Sequence, residues 1–461
     1  MAARKKPLVI VANRLPVVRA WSGGKQQWKR SPGGLVSALT PIVQSHRGGW
    51  VGWTGTTGPA PKPFTLDRIR HFPISLSRKQ FQTFYNGFCN GTIWPLYHFA
   101  VREPEYHRHW WRPYVRVNKR FAELTAQAAA QRGIVWIQDY HLQLVPALLR
   151  EIRPDLRIGF FLHIPFPPEE LFGQLPWRRQ ILEGLLGADV VGFQTQNGAQ
   201  NFVRLAQRYA DARIERGVVR IHDRDVHVDA YPISTDFDRY ASLAAQPSVI
   251  ERSVELRQQV GQGRKIILGV DRLDYTKGID VRLRAFRELL SRRTELLHEC
   301  VLVQLAVPSR ERVTEYQHLR RQVEELVGQI NGEFGEVGMT PVQYLHRELP
   351  ADELVALYRA AEVKLVTPFA DGMNLVAKEY VATRLDNTGV LILSEFAGAA
   401  QELKTALQVN PHDVDGLAET MDMAISLPAR EVTRRMRRMR EVVRGHTVYD
   451  WAEKFMDALS A

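Results

Sequence analysis

Short apolar runs rich in β-branched residues alternate along the chain with longer segments of helical periodicity. The clearest runs are residues 134–137, 158–162, 190–193, 266–270, 301–306, 363–366 and 390–393. Runs that are apolar on both faces and separated by helices are typical of parallel sheets covered by helices. There are too many runs for one doubly wound sheet, and no internal repeat accompanies them. We therefore predict an α/β protein with two domains.

A boundary is predicted at residues 231–236 (YPISTD), where one series of strands ends and a polar helical stretch follows. We place an N-terminal domain at residues 1–235 and a second domain at residues 236–445. Residues 446–461 are predicted to form a helix that packs back on the N-terminal domain. That helix carries an apolar stripe formed by Val448, Trp451, Phe455 and Leu459. In such α/β domains, ligands bind at the carboxyl ends of the strands.

The composition is that of an ordinary globular protein, with 45% hydrophobic and 24% charged residues among 461. No apolar run is long enough to span a membrane, and the run at residues 8–12 is too short for a signal peptide core. We therefore expect a cytoplasmic protein that is not exported. Cys89 and Cys300 show no metal-ligand spacing, which argues against zinc and iron–sulfur chemistry.

The net charge of +12 points either to nucleic acid or to small anionic ligands. The densest basic stretch, residues 434–440, has the spacing of a helix with a solvated basic face. We therefore expect no nucleic-acid partner and favour phosphorylated ligands.

Two segments near the N-terminus could hold a phosphate. Arg14 follows the first predicted strand, where a phosphate clamp and a surface cation are equally good interpretations. Gly33 and Gly34 open a predicted helix, whose first N–H groups could approach a phosphate closely. A glycine pair alone more often marks a plain turn.

A second basic segment, residues 270–278 (VDRLDYTKG), directly follows a buried strand. Arg272 and Lys277 lie beyond the carboxyl end of that strand and could neutralise a diphosphate leaving group. The alternative, two loop cations, is disfavoured because the strand end directs both toward the ligand edge. Residues 223–225 (DRD) superficially resemble a metal-binding motif, but we interpret this polar stretch as a loop.

The most informative segment, residues 367–379 (TPFADGMNLVAKE), runs from a strand through a glycine turn into a helix. The free N–H groups at the helix start, around residues 374–376, form an anion site. Asp371 and Glu379, with seven residues between them, could bind sugar and ribose hydroxyls on either side of a diphosphate. They could instead be a helix cap and a surface acid, but the apolar flank argues against this.

Further candidates come from the N-terminal domain. Asp139 and His163 lie at the ends of buried strands, although a histidine there is often structural. Tyr85 and Trp94 could stack on a sugar or fill the core. Arg310 follows a later strand and is another potential phosphate ligand.

Together these segments resemble those of trehalose-6-phosphate synthases. The matching segments are NRLP at 13–16, SPGGL at 31–35, DYHL at 139–142, FFLHIPFP at 160–167, DRLDYTKG at 271–278, DGMNLVAKEY at 371–380 and SEFAGAA at 394–400. The resemblance covers nearly the whole chain. It implies the GT-B fold, in which two Rossmann-like, doubly wound domains face each other and a C-terminal helix crosses back.

The resemblance also implies a role for each matching residue. Those expected to act in catalysis are His163, Arg272, Lys277 and Asp371. Those expected to bind the nucleotide sugar are Gly33, Gly34, Leu349, Asn374, Leu375, Val376, Ala377 and Glu379. Those expected to bind glucose 6-phosphate are Arg14, Tyr85, Trp94, Asp139 and Arg310.

The implied reaction transfers glucose from a nucleoside-diphosphate glucose to glucose 6-phosphate with retention, giving trehalose 6-phosphate. We expect a front-face reaction through an oxocarbenium-like state, without a metal or other cofactor, because Arg272, Lys277 and the helix start stabilise the leaving group. UDP-glucose is the usual donor of such enzymes, while GDP-glucose and ADP-glucose stay open. A homo-oligomer also stays open.

Three alternatives remain. A pseudo-glycosyltransferase of the same fold is disfavoured because the acceptor residues are intact. An inactive regulatory homologue that binds sugar phosphate would be expected to lack one of the donor residues, which are all present. A nucleic-acid-binding protein is the third, and salt-sensitive, nonspecific affinity for DNA or RNA would argue against it.

Overall fold

The computed structural model describes residues 7–22, 25–31, 34–215, 218–311 and 313–460. The chain divides into two compact units. Unit 1 comprises Met1–Ile233 and Tyr449–Ala461, and unit 2 comprises Ser234–Val448. Within the described ranges, no helix is both long enough and apolar enough to cross a membrane.

The strands of unit 1 form a large sheet and a small hairpin. In chain order they are β1 Leu8–Arg14, β2 Val17–Ser22, β3 Lys25–Arg30, β4 Gly49–Trp53, β5 Phe64–Leu66, β6 Ile69–Ile74, β7 Ile134–Gln138, β8 Arg157–Phe161, β9 Val190–Phe193, β10 Arg213–Glu215, β11 Val218–Ile221 and β12 Arg224–Ala230. The hairpin pairs β2 with β3, and the large sheet has the order β10-β11-β12-β9-β8-β7-β1-β4-β6-β5.

Seven adjacent strands of the large sheet, from β12 to β6, are parallel. If β1, β4, β6, β7, β8 and β9 are counted as strands 1 to 6, their order is 6-5-4-1-2-3, that of a doubly wound Rossmann sheet. The connections diverge between β1 and β7. Ligands of such sheets bind at this switch point, beyond the carboxyl ends of the strands.

Helices cover this sheet. They are α1 Gly34–Ser45, α2 Arg78–Gln80, α3 Trp94–Tyr97, α4 Arg108–Ala128, α5 Val145–Ile152, α6 Glu169–Phe172, α7 Arg178–Leu185 and α8 Gln196–Tyr209. A π-helical segment, Phe81–Ile93, joins α2 to α3. Its wider turn is supported by Asn90, whose Nδ2 donates to the carbonyl of Tyr85 at 2.6 Å. Wide turns of this kind are frequent at functional sites.

Unit 2 contains one fully parallel sheet in the described residues. Its strands are β13 Lys265–Arg272, β14 Cys300–Val307, β15 Val342–Leu345, β16 Val363–Val366, β17 Val390–Ser394 and β18 Leu407–Val409. The order β15-β14-β13-β16-β17-β18 is again that of a Rossmann sheet, 3-2-1-4-5-6, with its switch point between β13 and β16.

Nine further α-helices in the described residues complete the fold, of which the first eight belong to unit 2 and the last lies almost entirely in unit 1. They are α9 Phe237–Ala244, α10 Pro247–Leu256, α11 Ile279–Arg292, α12 Thr314–Phe334, α13 Ala351–Ala360, α14 Leu375–Thr383, α15 Val414–Ser426, α16 Ala429–Gly445 and α17 Val448–Ser460. On one face of the sheet, apolar residues of α11, α12 and α15 pack against alternate strand positions such as Val363 and Leu365. The other strand positions face away from this core, because successive side chains alternate across a sheet.

The last helix, α17, packs on the sheet of unit 1. The Phe455 ring stacks on Trp136 of β7, with centroids 4.5 Å apart, and Trp451 contacts the same ring at 5.1 Å. A Cβ on Gly159 or Gly192 would stand within 2.8 Å of the Phe455 ring, so only glycine admits the ring at these two positions. The aromatic stripe seen in the sequence is therefore the packing face of this helix.

The seven apolar runs singled out in the sequence lie within or overlap β7, β8, β9, β13, β14, β16 and β17, which confirms that part of the prediction. The interpretation of residues 223–225 as a loop is wrong in part. Asp223 lies in a turn, but β12 already begins at Arg224. The Arg224 guanidinium donates to the carbonyls of Leu186, Gly187 and Ala188, which explains why a polar residue begins a strand there.

Candidate functional site

Arg14 and Asp139 mark the switch point of unit 1, since Arg14 ends β1 and Asp139 follows β7. The exposed Arg14 guanidinium lies 4.8 Å from the centre of the Trp53 ring. Tyr85, on the π-helical segment, lies 6.2 Å from Trp53 and stacks with His141 at 5.8 Å. An arginine held on an aromatic face keeps its bidentate hydrogen-bonding edge available for phosphate. The arrangement therefore suits a phosphorylated sugar.

Asp139 adopts a strained backbone. Its φ of 73° and ψ of 168° lie in a region that glycine alone occupies readily. The strain is held by two hydrogen bonds, since the Asp139 N–H donates to the Phe161 carbonyl at 2.8 Å and Oδ1 accepts from the His163 N–H at 3.2 Å. Such strain, about 1–3 kcal/mol, clusters at functional sites. It fixes the direction of the carboxylate at the edge of the sheet.

His163 follows β8 by two residues, and its ring is half-buried. Its Nε2 lies 2.9 Å from Oε1 of Gln138. Burial lowers the pKa of this imidazole to about 3, so the ring is neutral at physiological pH. A neutral imidazole offers one donor and one acceptor nitrogen, which suits a hydroxyl group better than a phosphate.

Trp94 and the predicted glycine pair complete the candidates in unit 1. Trp94 is 4% exposed, and its ring contacts His98 at 4.1 Å and Tyr140 at 5.6 Å. It therefore supports neighbouring residues from within the core instead of offering an open stacking face. Gly34 is the first residue of α1, whereas Gly33 lies outside the described residues.

In unit 2 the loops that follow β13 and β16 meet at the switch point. Lys277 Nζ donates to Oδ2 of Asp371 at 2.6 Å, and Asn374 Nδ2 donates to the same oxygen at 3.1 Å. The Phe369 N–H donates to the Thr276 carbonyl at 2.9 Å, which joins the two loops directly. The structure thus brings Lys277 next to two residues that lie more than ninety positions further along the chain.

The start of α14 has the features of an anion site. Asn374 caps the helix with a left-handed φ of 77°, and its side chain accepts the Ala377 N–H at 3.1 Å. The N–H groups of Leu375 and Val376 belong to the same first turn, where the helix dipole favours negative charge. Asp371, three residues before the cap, is therefore not the cap itself.

A buried carboxylate organises the cations of this loop. Asp274 is completely buried and accepts from Arg310 Nη1 at 3.2 Å, from the Tyr316 hydroxyl at 2.9 Å and from Thr276. Burial raises the pKa of Asp274, but the combined charges of Arg310, Arg272 and Lys277 outweigh burial and lower it to about 2. The carboxylate is therefore ionised and holds the Arg310 side chain in place.

Glu379 lies within α14, and Leu349 lies just before the start of α13. Glu379 is half-buried, accepts from the Tyr358 hydroxyl at 3.5 Å and bonds Tyr240. Burial is the largest influence on its pKa and raises it, while Tyr240 and Lys364 oppose the increase. Leu349 is half-buried in the loop between β15 and α13.

Comparison with known proteins decides the family. A family model described as Glycosyltransferase family 20 matches residues 6–461. The chain belongs to glycosyltransferase family 20. It is 53% identical to a trehalose-6-phosphate synthase of Mycolicibacterium smegmatis over 98% of this chain and 92% of that protein. A trehalose-6-phosphate synthase of Mycobacterium avium is also 53% identical, over 98% and 95% of the two chains.

Solved structures agree with this assignment. An alpha,alpha-trehalose-phosphate synthase (UDP-forming) from Burkholderia xenovorans in complex with glucose-6-phosphate superposes with a TM-score of 0.90 at 36% identity, covering 99% and 100% of the chains. An E. coli protein bound with UDP-2-fluoro glucose gives a TM-score of 0.90 at 34% identity, covering 98% of each chain. The GT-B fold expected from the sequence is thereby confirmed, and this family 20 protein is a glycosyltransferase.

The predicted site residues of this glycosyltransferase fall into two sets. Arg14, Gly34, Tyr85, Trp94, Asp139 and His163 lie in unit 1, whereas Arg272, Lys277, Arg310, Leu349, Asp371, Asn374, Leu375, Val376, Ala377 and Glu379 lie in unit 2. Most of them lie at or near the carboxyl ends of strands beside a switch point. The ligand that each residue binds stays a prediction.

Several residues that support the site escaped the sequence analysis. Gln138 bonds His163, Asp274 and Tyr316 bond Arg310, and Arg282 donates to Asp271, Gln304, Thr367 and the Lys277 carbonyl. Arg282 is completely buried, so it ties both loops of unit 2 to the sheet. The sequence shows charged or amide residues within or near the recognised motifs. It does not show which side chain each of them contacts.

Proposed function

We propose that this protein transfers glucose from a nucleoside-diphosphate glucose to glucose 6-phosphate with retention, giving trehalose 6-phosphate and the nucleoside diphosphate. The observation that carries the proposal is the contact of Lys277 with Asp371 at the start of α14. It combines a cation, a hydroxyl-binding carboxylate and free helix N–H groups in one place. These are the three elements that a sugar linked to a diphosphate requires.

The leaving diphosphate is assigned to Arg272, Lys277 and the first turn of α14. Arg272 is exposed at the end of β13, and Lys277 is fixed by its hydrogen bond to Asp371. Donors that already point to the place where negative charge develops stabilise the transition state without reorganisation. Protein cations supply this charge in the proposed reaction, so we propose no metal.

The donor glucose is assigned to Asp371 and the ribose to Glu379. Asn374 donates to Asp371 from the helix cap, which orients the carboxylate. Glu379 lies in α14 itself, beyond the anion site, and Leu349 is assigned to the border of the base. The order sugar, diphosphate, ribose thus follows the order of these residues along the segment.

The acceptor is assigned mainly to unit 1. Arg14 on the face of Trp53 would bind the phosphate of glucose 6-phosphate, with Tyr85 beside it. Asp139, whose carboxylate direction is fixed by its backbone, would accept hydrogen bonds from the sugar hydroxyls. We also assign the acceptor phosphate to Arg310, held by Asp274 in unit 2.

In the proposed reaction, the bond between C1 of the donor glucose and the diphosphate oxygen breaks as a bond forms from C1 to the 1-hydroxyl oxygen of glucose 6-phosphate. Attack occurs on the face that the diphosphate leaves, so the α-configuration is retained. The hydroxyl proton passes to the departing phosphate oxygen. The protein contributes orientation and electrostatic stabilisation and forms no covalent intermediate.

The donor base is proposed to be uracil. Several solved relatives are described as UDP-forming, and the structures compared above include one with UDP-2-fluoro glucose. The loops at residues 307–309 and 345–349 would border the base.

The decisive experiment measures release of UDP, GDP or ADP from the corresponding glucose donor, with and without glucose 6-phosphate. We expect release that depends on the acceptor, with α,α-trehalose 6-phosphate identified by its anomeric NMR couplings. Absence of turnover with every donor, in folded protein, would refute the proposal. A product with another phosphorylated sugar alone would favour the pseudo-glycosyltransferase alternative.

A matched pair of lysine variants tests the assignment of the leaving group. Lys277→Met should lower kcat by about 10²–10³-fold, because it removes a charge that acts on the leaving diphosphate. Lys265→Met, at the opposite end of β13, should leave kcat within about twofold of wild type. Equal effects of the two substitutions would contradict the role of Lys277.

A further inference from the structure

Gln138 is the last residue of β7 and is 1% exposed. Its Oε1 lies 2.9 Å from Nε2 of His163. An amide oxygen can only accept, so Nε2 of the imidazole carries the hydrogen. Nε2 of Gln138 itself is buried without a hydrogen-bond partner among the described residues, so the amide is committed to His163 and to no other side chain.

The orientation of His163 is fixed by several further contacts. Its backbone N–H donates to Asp139 Oδ1 at 3.2 Å, and its ring meets the Phe161 ring edge-on with centroids 4.7 Å apart. Because burial lowers the pKa of His163 to about 3, the ring is neutral and holds a single hydrogen. With that hydrogen on Nε2, Nδ1 has a lone pair and can only accept.

We propose that Gln138 is a positioning residue, which holds His163 in the Nε2-protonated tautomer so that Nδ1 accepts a hydrogen bond from a hydroxyl of the donor sugar. This inference rests on the proposed function and on the resemblance of residues 160–167 to trehalose-6-phosphate synthases, which implies that His163 binds the hydroxymethyl side of the donor glucose. Gln138 does not touch the sugar. It determines whether His163 presents an acceptor or a donor.

The proposal has a chemical consequence for specificity. A site that presents a fixed acceptor favours a sugar with a hydroxyl at C6 and disfavours one that lacks it, because the Nδ1 acceptor is then left without a donor. Without Gln138, the imidazole can place its hydrogen on either nitrogen. Selection for the 6-hydroxyl should then weaken, even though His163 itself is unchanged.

The test compares two donors, glucose and 6-deoxyglucose, as esters of the same nucleoside diphosphate. Wild type should prefer the glucose donor by about tenfold or more in kcat/KM. Gln138→Met, which keeps the length of the side chain, should reduce this preference to about threefold or less. If wild type shows the preference and Gln138→Met retains it in full, the inference is wrong while the proposed function stands.

A matched control separates this effect from general damage to unit 1. Gln143 is also completely buried, and its Oε1 accepts from the Tyr97 hydroxyl at 2.7 Å. Gln143→Met should lower stability but keep the preference for the 6-hydroxyl. If wild type transfers neither sugar, the proposed function has failed, an outcome distinct from failure of the inference.

A second variant keeps the test decisive if Gln138→Met folds poorly. Gln138→Glu places a carboxylate against the imidazole, which should raise the pKa of His163 and make the ring a double donor when protonated. The kcat/KM of this variant should fall as the pH is lowered from 8 to about 5, more steeply than that of wild type. Nitrogen chemical shifts of the wild-type ring should show a protonated Nε2, and a protonated Nδ1 would overturn the inference.

Discussion

Lys364 lies in the middle of the central sheet of unit 2 and has no exposed surface. Its Nζ makes no hydrogen bond to the described residues, and it lies 5.6 Å from the centre of the Tyr358 ring. Burial is the largest influence on the pKa of this lysine and lowers it to about 7, with Asp271 opposing the decrease and Arg282 adding to it. A charged lysine at this position is therefore expected to destabilise the protein.

The size of this effect follows from the displaced pKa. The ordinary value of 10.5 falls to about 7 in the folded state. At about 1.4 kcal/mol for each pH unit of displacement, folding loses on the order of 4–5 kcal/mol near and below pH 7. Lys364→Met keeps the length of the side chain without the charge. Allowing for imperfect packing of the thioether, we expect it to raise the free energy of unfolding by about 2–4 kcal/mol at pH 7.

The pH dependence gives the sharper test. The unfolded state binds the Lys364 proton up to about pH 10.5, whereas the folded state loses it near pH 7. Between these values the unfolded state binds more protons, so this group makes wild type more stable as the pH rises. The advantage of Lys364→Met should therefore shrink by about 2 kcal/mol between pH 7 and pH 9.

Urea unfolding at pH 6, 7, 8 and 9 measures both effects. All ten tryptophans lie in unit 1, so their fluorescence reports that unit, while far-UV circular dichroism reports both. The pH-dependent difference should appear in the circular dichroism transition. A Lys364→Met variant that is less stable than wild type at pH 7, or whose advantage does not change with pH, would refute the reasoning.

Lys378 provides the matched control. It is equally buried, but its Nζ donates to Oε1 of Glu402 at 2.7 Å. Lys378→Met removes the charge that pairs with the largely buried Glu402 carboxylate, which also contacts His446 at 3.1 Å, and breaking this buried pair is destabilising. The same lysine-to-methionine change should thus stabilise at one position and destabilise at the other. Equal signs would show that the hydrogen bond to Glu402 does not decide the effect, and would contradict this reasoning.

Three further predictions concern the proposed site. Asp274→Asn breaks the buried ion pair with Arg310, so the free energy of unfolding measured in urea should fall by about 3 kcal/mol or more. The KM for glucose 6-phosphate should rise as well. Gly55 has a φ of 92°, and Gly55→Ala would place a Cβ 2.1 Å from Nη1 of Arg14, so the Arg14 side chain must move. Steady-state kinetics should therefore show the KM for glucose 6-phosphate raised about tenfold and the KM for the donor unchanged. The pKa of His163 falls from 6.5 to about 3 on folding, so the stability of wild type should decline as the pH drops below 6.5. His163→Asn should make that decline smaller, as measured by thermal unfolding between pH 7 and pH 4.

The buried strands were predictable from the sequence because a strand covered on both faces is apolar throughout. β7 and β16 are such strands, apart from Gln138 and Lys364. By contrast, β10 is exposed at all its described positions and carries no apolar signal. The hairpin of β2 and β3 and the antiparallel strands β10 and β11 were not predicted from the sequence. Strand order depends on pairing between distant segments, which periodicity does not encode.

The π-helical segment Phe81–Ile93 illustrates a second limit. Tyr85 was singled out as a candidate, but its direction depends on the wide turn that Asn90 supports. Gly87 and Gly91 face the Trp110 ring of α4 so closely that a Cβ would stand within 2.9 Å of it. This packing is a tertiary contact, so the local sequence did not predict the conformation. The sequence therefore identified the aromatic side chain of Tyr85 as a candidate but did not predict its direction.

The position of a residue in the sheet explains why the family resemblance identified some residues of the candidate site and not others. The switch points place the residues after β1, β7, β13 and β16 at the ligand edge, and these are the positions in the recognised motifs. Gln138 and Lys364 lie inside the strands that precede those motifs, at the end of β7 and near the start of β16. Each is expected to act through a neighbour: Gln138 acts through His163, and Lys364 acts through its charge beside Tyr358 and Glu379. Specificity and pH response are therefore expected to depend on residues that make no contact with the ligands, and the Gln138 and Lys364 variants separate that dependence from the binding residues themselves.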